Sequence, residues 1–102
     1  MISKDFLVIP GYNAISIINV NEYKLVRVIE VLNSSYIKGI CKLNQNMLIT
    51  GDDSKTLRQW KIEDDNLILV SKKENADDGA INILLNLGNG YIASGSGSIK
   101  IW

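Results

Sequence analysis

The sequence predicts an all-β fold made of repeated antiparallel meanders, and three observations predict it. Apolar runs rich in Ile, Val, Leu and Thr are separated by clusters of Asn, Asp, Gly and Ser, which is typical of strands joined by turns. No stretch shows a sustained helical period with a cap. The sequence also repeats itself at a nearly constant spacing, which indicates a repeat architecture.

The alternation of apolar runs and polar clusters predicts ten strands. They are expected at about 6–10, 14–20, 24–31, 36–43, 47–52, 56–62, 66–73, 80–87, 91–95 and 98–102. The segment AINILLNL (80–87) taken alone fits a helix as well as a strand, and its strand-like neighbours favour a strand. The connections NQN, DDSK and EDDN are short enough for hairpins.

Two alignments within the chain show the repeat. The segment YIKGICKLNQNMLITG (36–51) aligns without a gap on AINILLNLGNGYIASG (80–95). The beginning, LVIPGYNAISII, aligns on the final IASGSGSIKIW when Gly11 is set on Gly95. We therefore expect Gly11, Gly51 and Gly95 to occupy one structural position in three copies of a β-meander.

Composition excludes several classes of function. The 102 residues contain 46% hydrophobic side chains, which indicates a globular chain with a core. Lys plus Arg equals Asp plus Glu at 11 each, so no general attraction to nucleic acid or to an anionic membrane is expected. Cys41 is the only cysteine and histidine is absent, which argues against a disulfide framework and a zinc site. Neither a signal peptide nor a membrane span is predicted.

The segments ITGDDSKTLRQW (49–60) and IASGSGSIKIW (92–102) resemble the WD40-repeat family of β-propellers. In both, a strand ends in Ser/Thr-Gly and is followed by a polar turn and a strand ending in Trp. The spacing of 40 and 44 residues between the three glycines suits that family, whose repeats have about 40–45 residues and four strands. The sequence departs from the family pattern in having no Gly-His pair and no Trp-Asp dipeptide, and Ile18 stands where the first copy would have Trp.

The resemblance implies one domain, 1–102, which is part of a WD40-like propeller. Its consecutive four-stranded blades would have their strands at about 6–31 for blade 1, 36–73 for blade 2 and 80–102 for a partial blade 3. Propellers have about 4–8 blades, so the ring would be incomplete, and we expect further blades or partner proteins to complete it. Self-association of the isolated chain is a further expectation, because exposed sheet faces and edges attract other strands.

The resemblance also implies a hydrogen-bond network around the tryptophan of a blade. In the middle blade, Asp53 or Ser54, Thr56 and Trp60 are the residues expected to contribute. Trp60 and Trp102 are predicted to be buried between blades, with stacking on a ligand as the alternative. Gly51 and Gly95 are predicted to be structural glycines that allow close approach or positive φ, with a phosphate-binding loop as the alternative.

The resemblance further implies a partner-binding rim, where the second turn of each blade lies beside the links between blades. The residues predicted there are Asp52, Asp53, Lys55, Glu74, Asp77 and Asp78. In one interpretation they form an acidic surface for a basic peptide. In the other, Asp and Asn only stabilise the turns, and nearby lysines cancel much of the charge.

The function predicted from the sequence is that of a non-catalytic scaffold for protein–protein interaction. The alternative is a regulatory or substrate-docking part of a larger enzyme or enzyme complex. Cys41 lies on an apolar strand and has no histidine to activate it, so it is expected to be buried rather than nucleophilic. No catalytic residue, cofactor or metal site is predicted, and the expected partners are other proteins in the cytoplasm, with no nucleic acid and no membrane.

Overall fold

The computed structural model describes residues 6–31, 36–76, 79–95 and 99–102, and the regular elements in these ranges are β-strands. They are β1 (Phe6–Pro10), β2 (Ala14–Asn19), β3 (Lys24–Glu30), β4 (Ile37–Asn44), β5 (Met47–Asp52), β6 (Leu57–Glu63), β7 (Asn66–Lys73), β8 (Ile83–Gly88), β9 (Tyr91–Gly95) and β10 (Ile99–Ile101). Each overlaps one of the predicted strands, so the prediction of an all-β chain is confirmed. The segment 80–87 contributes β8 from Ile83 onward rather than a helix.

The strands form three antiparallel sheets in chain order. Sheet 1 has the order β1-β2-β3, sheet 2 has β4-β5-β6-β7, and sheet 3 has β8-β9-β10. Hydrogen-bonded neighbours are consecutive in sequence, so each sheet is a meander of hairpins. Several turns contain a residue with positive φ that is an Asn or Asp, namely Asn13, Asp64 and Asn89. These residue types tolerate that conformation, so the polar clusters of the sequence determine where the chain reverses.

A β-bulge lies at the same place in sheets 1 and 2. It falls between Ile17 and Ile18 in sheet 1 and between Gln59 and Trp60 in sheet 2. An irregularity of this kind places an extra residue on one strand and increases the local twist, so a repeated bulge indicates two copies of one unit. Ile18 therefore holds the position that Trp60 holds in sheet 2, as the sequence predicts.

Two of the three glycines occupy equivalent positions. Gly51 and Gly95 are each opposite the first residue of the following strand. In sheet 1, Pro10 stands closest to this position, and Gly11 lies in the turn beyond β1. The equivalence predicted for Gly11 is therefore wrong by one residue. The offset arises because the connection between β1 and β2 is shorter than that between β5 and β6. A shift by one residue reverses the direction of a side chain, so positions that are offset by one residue lie on opposite faces of a sheet.

The first part of the core lies between sheets 1 and 2. Its buried side chains come from facing surfaces of the two sheets and from the ends of their strands: Ile15, Ile17, Val31, Ile37, Leu48, Trp60 and Leu67. Phe6, Val8 and Ile29 pack around them from sheet 1. Successive side chains of a strand point to opposite faces of its sheet, which places these residues on one face. Burial of this apolar surface stabilises the contact between the two sheets.

The second part of the core lies between sheets 2 and 3. Its buried members are Ile49, Leu57, Ala76, Ile81, Leu84 and Ile92. Ile81 belongs to the link before β8, and its side chain lies directly over Gly51. A Cβ atom at position 51 would be only 2.4 Å from Ile81 Cγ2, so the absence of a side chain there creates the space that Ile81 fills.

Each of the two tryptophans donates a hydrogen bond to a hydroxyl group on the neighbouring strand. Trp60 Nε1 donates to Thr50 Oγ1 at 3.0 Å, and Trp102 Nε1 donates to Ser94 Oγ at 2.9 Å. Indole N–H groups removed from water need a partner, and in both sheets the hydroxyl of the residue just before the equivalent glycine, Gly51 or Gly95, supplies it. The predicted network around Trp60 is thus corrected, because its hydroxyl partner is Thr50 and not Thr56.

Candidate interaction rim

The rim is formed by the ends of the sheets at which β1 and β5 finish. It consists of the turns 11–13 and 53–56 and the described parts of the links that precede β4 and β8. Asn13 and Lys55 both have positive φ, and their carbonyl groups accept hydrogen bonds from Val31 N and Ala76 N, each at 2.8 Å. In both sheets, the turn is therefore held by a hydrogen bond from the segment that follows the last strand of the sheet, β3 in sheet 1 and β7 in sheet 2.

Backbone hydrogen bonds also join neighbouring sheets at the rim. Ile37 N donates to Gly11 O, and Ile81 N donates to Asp52 O, both at 3.0 Å. Within sheet 2, Asp53 N donates to Tyr36 O at 3.0 Å, which ties the turn after β5 to the segment before β4. These bonds fix the spacing of the turns, so side chains on the rim project from a rigid base.

Asp52 does not contribute to the surface of the rim. Its side chain is 1% exposed and forms an ion pair with the buried Arg58. The carboxylate also accepts hydrogen bonds from Ser54 N at 2.9 Å, from the Ser54 hydroxyl and from Thr56 N at 3.3 Å. Buried carboxylates require such partners, and here they close the turn between β5 and β6. The sequence-based placement of Asp52 on an accessible rim is therefore corrected.

The other described charged residues of the predicted rim are closer to solvent. Asp53 pairs with Lys38 at 3.3 Å, and Glu74 pairs with Lys72 at 3.1 Å, while Lys55 is exposed. Asp77 and Asp78 lie outside the described residues. Because both described acidic groups face a lysine, the described part of the rim is electrically mixed rather than acidic.

The rim carries an aromatic pair that sequence reasoning missed. Tyr12 is 61% exposed and Tyr36 is 54% exposed, and their ring centroids are 4.9 Å apart with an interplanar angle of 66°. This edge-to-face geometry is a favourable one for two aromatic rings. The residues are 24 positions apart in the sequence and meet because the end of β1 lies beside the start of β4, as the bridge between Tyr12 and Tyr36 shows.

Cys41 packs against the second part of the core, and burial raises the pKa of its thiol. The described residues contain no group of three or more Asp, Glu, Cys or His side chains arranged to hold a metal ion. Within the same residues, none of the elements is a helix of the length and apolar character that would cross a membrane.

No protein-family model matches the sequence, and no curated protein matches it significantly. Among solved structures, that of U3-55K is similar to this chain, with a TM-score of 0.78 and 12% sequence identity over 96% of the chain. U3-55K is a WD40 β-propeller protein, and the chain spans 30% of its length. The likeness confirms the predicted fold class: the three sheets are consecutive antiparallel meanders with the fold of a WD40-like β-propeller, and the expectation of an incomplete ring is consistent with it.

Proposed function

We propose that the chain is a non-catalytic module for protein–protein interaction and that its rim binds another protein. The observation that carries the proposal is the exposed pair of Tyr12 and Tyr36 on a base fixed by backbone hydrogen bonds. Tyrosine combines a large apolar ring with a polar group and is enriched at the centres of protein interfaces. A WD40-like fold supports the same role, because it presents its turns on a rigid frame.

The charges of the rim suit a protein partner of mixed polarity. Among the described rim residues, Asp53 pairs with Lys38 and Glu74 pairs with Lys72. Lys55 is a further exposed cation, so the rim carries charges of both signs. Exposed ion pairs contribute little to stability, so a partner can exchange them for its own charges at small cost. The net charge of zero gives no steering toward nucleic acid. The cytoplasm is the proposed location, because the sequence has a single cysteine and therefore no disulfide framework of the kind common in secreted domains.

The same rim would serve the alternative role as the docking part of a larger enzyme or enzyme complex. A photo-crosslinking amino acid at position 36 tests both roles in cells that express the protein. We expect discrete adducts with one or a few proteins, and the identity of those proteins distinguishes a scaffold from an enzyme subunit.

Tyr23 provides the matched control. It is 90% exposed and lies in the turn between β2 and β3, at the end of sheet 1 opposite the rim. A crosslinker at position 23 should not give the adducts seen from position 36, and Tyr12→Ser should remove them. Identical adducts from both positions, or no effect of Tyr12→Ser, would contradict a binding site at the rim.

A further inference from the structure

The outer surface of sheet 3 is an exposed apolar face. Ile99 is 80% exposed, and Ile83, Leu85 and Ile101 lie beside it with more than half of their surface accessible. The strand registers place Ile83, Gly95 and Ile99 in one row and Leu85, Ala93 and Ile101 in the next. A cavity of about 280 Å³ opens onto this surface. We call these six residues the tail face.

The outer surface of sheet 1 is also apolar. Leu25 is 56% exposed, Ile9 and Val28 are exposed, and Leu7 and Ile18 are half-buried. Cross-strand pairing places Leu7 beside Ile18 and Ile18 beside Leu25, so these side chains share one surface. We call Leu7, Ile9, Ile18, Leu25 and Val28 the head face. Contiguous exposed apolar surface of this kind marks sites of association.

The tail face repeats the surface by which sheet 2 contacts sheet 3. In sheet 2 the corresponding row is Gly39, Gly51 and Leu57, and Gly51 receives the side chain of Ile81. In sheet 3 Gly95 takes the place of Gly51, and a Cβ there would find its nearest atom, in Ile83, at 3.8 Å. The tail face is therefore a surface of the same kind as the one that Ile81 covers in sheet 2, but no described residue covers the tail face in this way.

The head face is equivalent to the surface of sheet 2 that packs on sheet 1 and to the surface of sheet 3 that packs on sheet 2. Leu48 and Trp60 are paired across β5 and β6 and contact sheet 1, as Leu7 and Ile18 are paired across β1 and β2. In both contacts between sheets, the surface equivalent to the tail face on one sheet therefore packs against the surface equivalent to the head face on the next sheet. A contact between two tail faces or between two head faces has no counterpart in the described structure.

We propose that the tail face of one copy of this chain packs against the head face of a second copy. The proposal goes beyond the proposed function, because it concerns the two ends of the stack of sheets and not the rim. The contact is head-to-tail, so repetition generates a ring or an open filament rather than a closed two-fold dimer. Both faces are built of uncharged side chains, so apolar burial drives the association.

Sedimentation velocity of the wild-type chain and of two variants tests the proposal. Ile99→Lys places a charge on the tail face, and Leu25→Lys places one on the head face. The wild-type chain should form species larger than a monomer whose amount rises with concentration. Each variant alone should be monomeric. Mixing the two variants should give a heterodimer with one copy of each, because one supplies an intact head face and the other an intact tail face.

Tyr23→Lys is the matched control, since it exchanges an exposed ring for the same charge outside both faces and should associate like the wild type. Far-UV and near-UV circular dichroism establish that each variant is folded, and Ile101→Lys and Val28→Lys replace any variant that is not. A wild-type chain that stays monomeric at all concentrations overturns the proposal. So do single variants that associate as the wild type does, or a mixture in which no heterodimer forms.

Discussion

Trp60 donates the hydrogen bond of its indole group to the hydroxyl of Thr50, and this bond joins β6 to β5 inside the core between sheets 1 and 2. Trp102 and Ser94 form the same bond in sheet 3. The Trp60 ring and the Thr50 hydroxyl are both buried, so neither group has water as a substitute partner. The pair therefore combines apolar packing with a hydrogen bond that is expensive to leave unmade.

Trp60→Ala should lower the free energy of unfolding by about 3–5 kcal/mol, because a large aromatic side chain is removed from a core. Thr50→Val should cost about 1–3 kcal/mol, because the indole N–H is left buried without its acceptor. Urea denaturation of dilute protein, followed by far-UV circular dichroism, measures both. A loss under about 1 kcal/mol for Trp60→Ala would place the ring at the surface and contradict the observed packing.

Gly51→Ala should destabilise the chain by about 1–3 kcal/mol, because the new methyl group would overlap Ile81 Cγ2. Gly95→Ala is the matched control in the equivalent position of sheet 3, where the nearest atom is at ordinary contact distance. It should change the stability by less than about 0.5 kcal/mol. Thermal or urea unfolding of the two variants side by side gives the comparison. Equal effects of the two substitutions would argue against the close contact at Gly51.

Arg58→Met should cost about 3–5 kcal/mol, because it leaves the carboxylate of Asp52 buried without its ion-pair partner. Adding Asp52→Asn should restore part of the loss. The amide oxygen of Asn still accepts hydrogen bonds from Ser54 N and Thr56 N, and no charge remains to be desolvated. A double-mutant cycle measured by urea denaturation checks this expectation. If the double variant is less stable than Arg58→Met alone, the ion pair is not the source of the loss.

Cys41 should react slowly with a thiol reagent at neutral pH, because burial raises its pKa and the thiolate is the reactive form. In the unfolded chain the thiol ionises at its ordinary pKa. The free energy of unfolding should therefore fall as the pH rises through the ordinary thiol range, since the unfolded state then loses its proton first. Reaction rates and unfolding at several alkaline pH values, with Cys41→Ala as control, measure the two effects. A fast reaction at neutral pH would contradict the packing of Cys41.

The strands were predictable from the sequence because their signals are local. Alternating apolar residues and turn-forming Asn, Asp and Gly determine where each strand lies, and the ten strands follow these signals. The start of β8 was less predictable. Residues 80–82 are apolar enough for a strand, but Ile81 is instead used to fill the space over Gly51. That contact depends on a residue thirty positions earlier, which no local pattern contains.

The rim was only partly predictable because charge alone does not determine exposure. Asp52 was expected at the surface, yet Arg58 pairs with it across the hairpin of β5 and β6. A signal for this arrangement exists in the alternation of the strands, which places Thr50, Asp52, Arg58 and Trp60 on one face. The pair of Tyr12 and Tyr36 left no such signal, because it forms between two sheets at the rim.

The contact between Ile81 and Gly51 also restricts which substitutions these two positions can accept during evolution. Ile81 lies in a connecting segment, where substitutions are usually tolerated more readily than in a strand. Its side chain, however, occupies the volume that any larger residue at position 51 would need. A larger residue can therefore be accepted at position 51 only after, or together with, a smaller residue at position 81, so a substitution of Gly51 should be accompanied by one of Ile81.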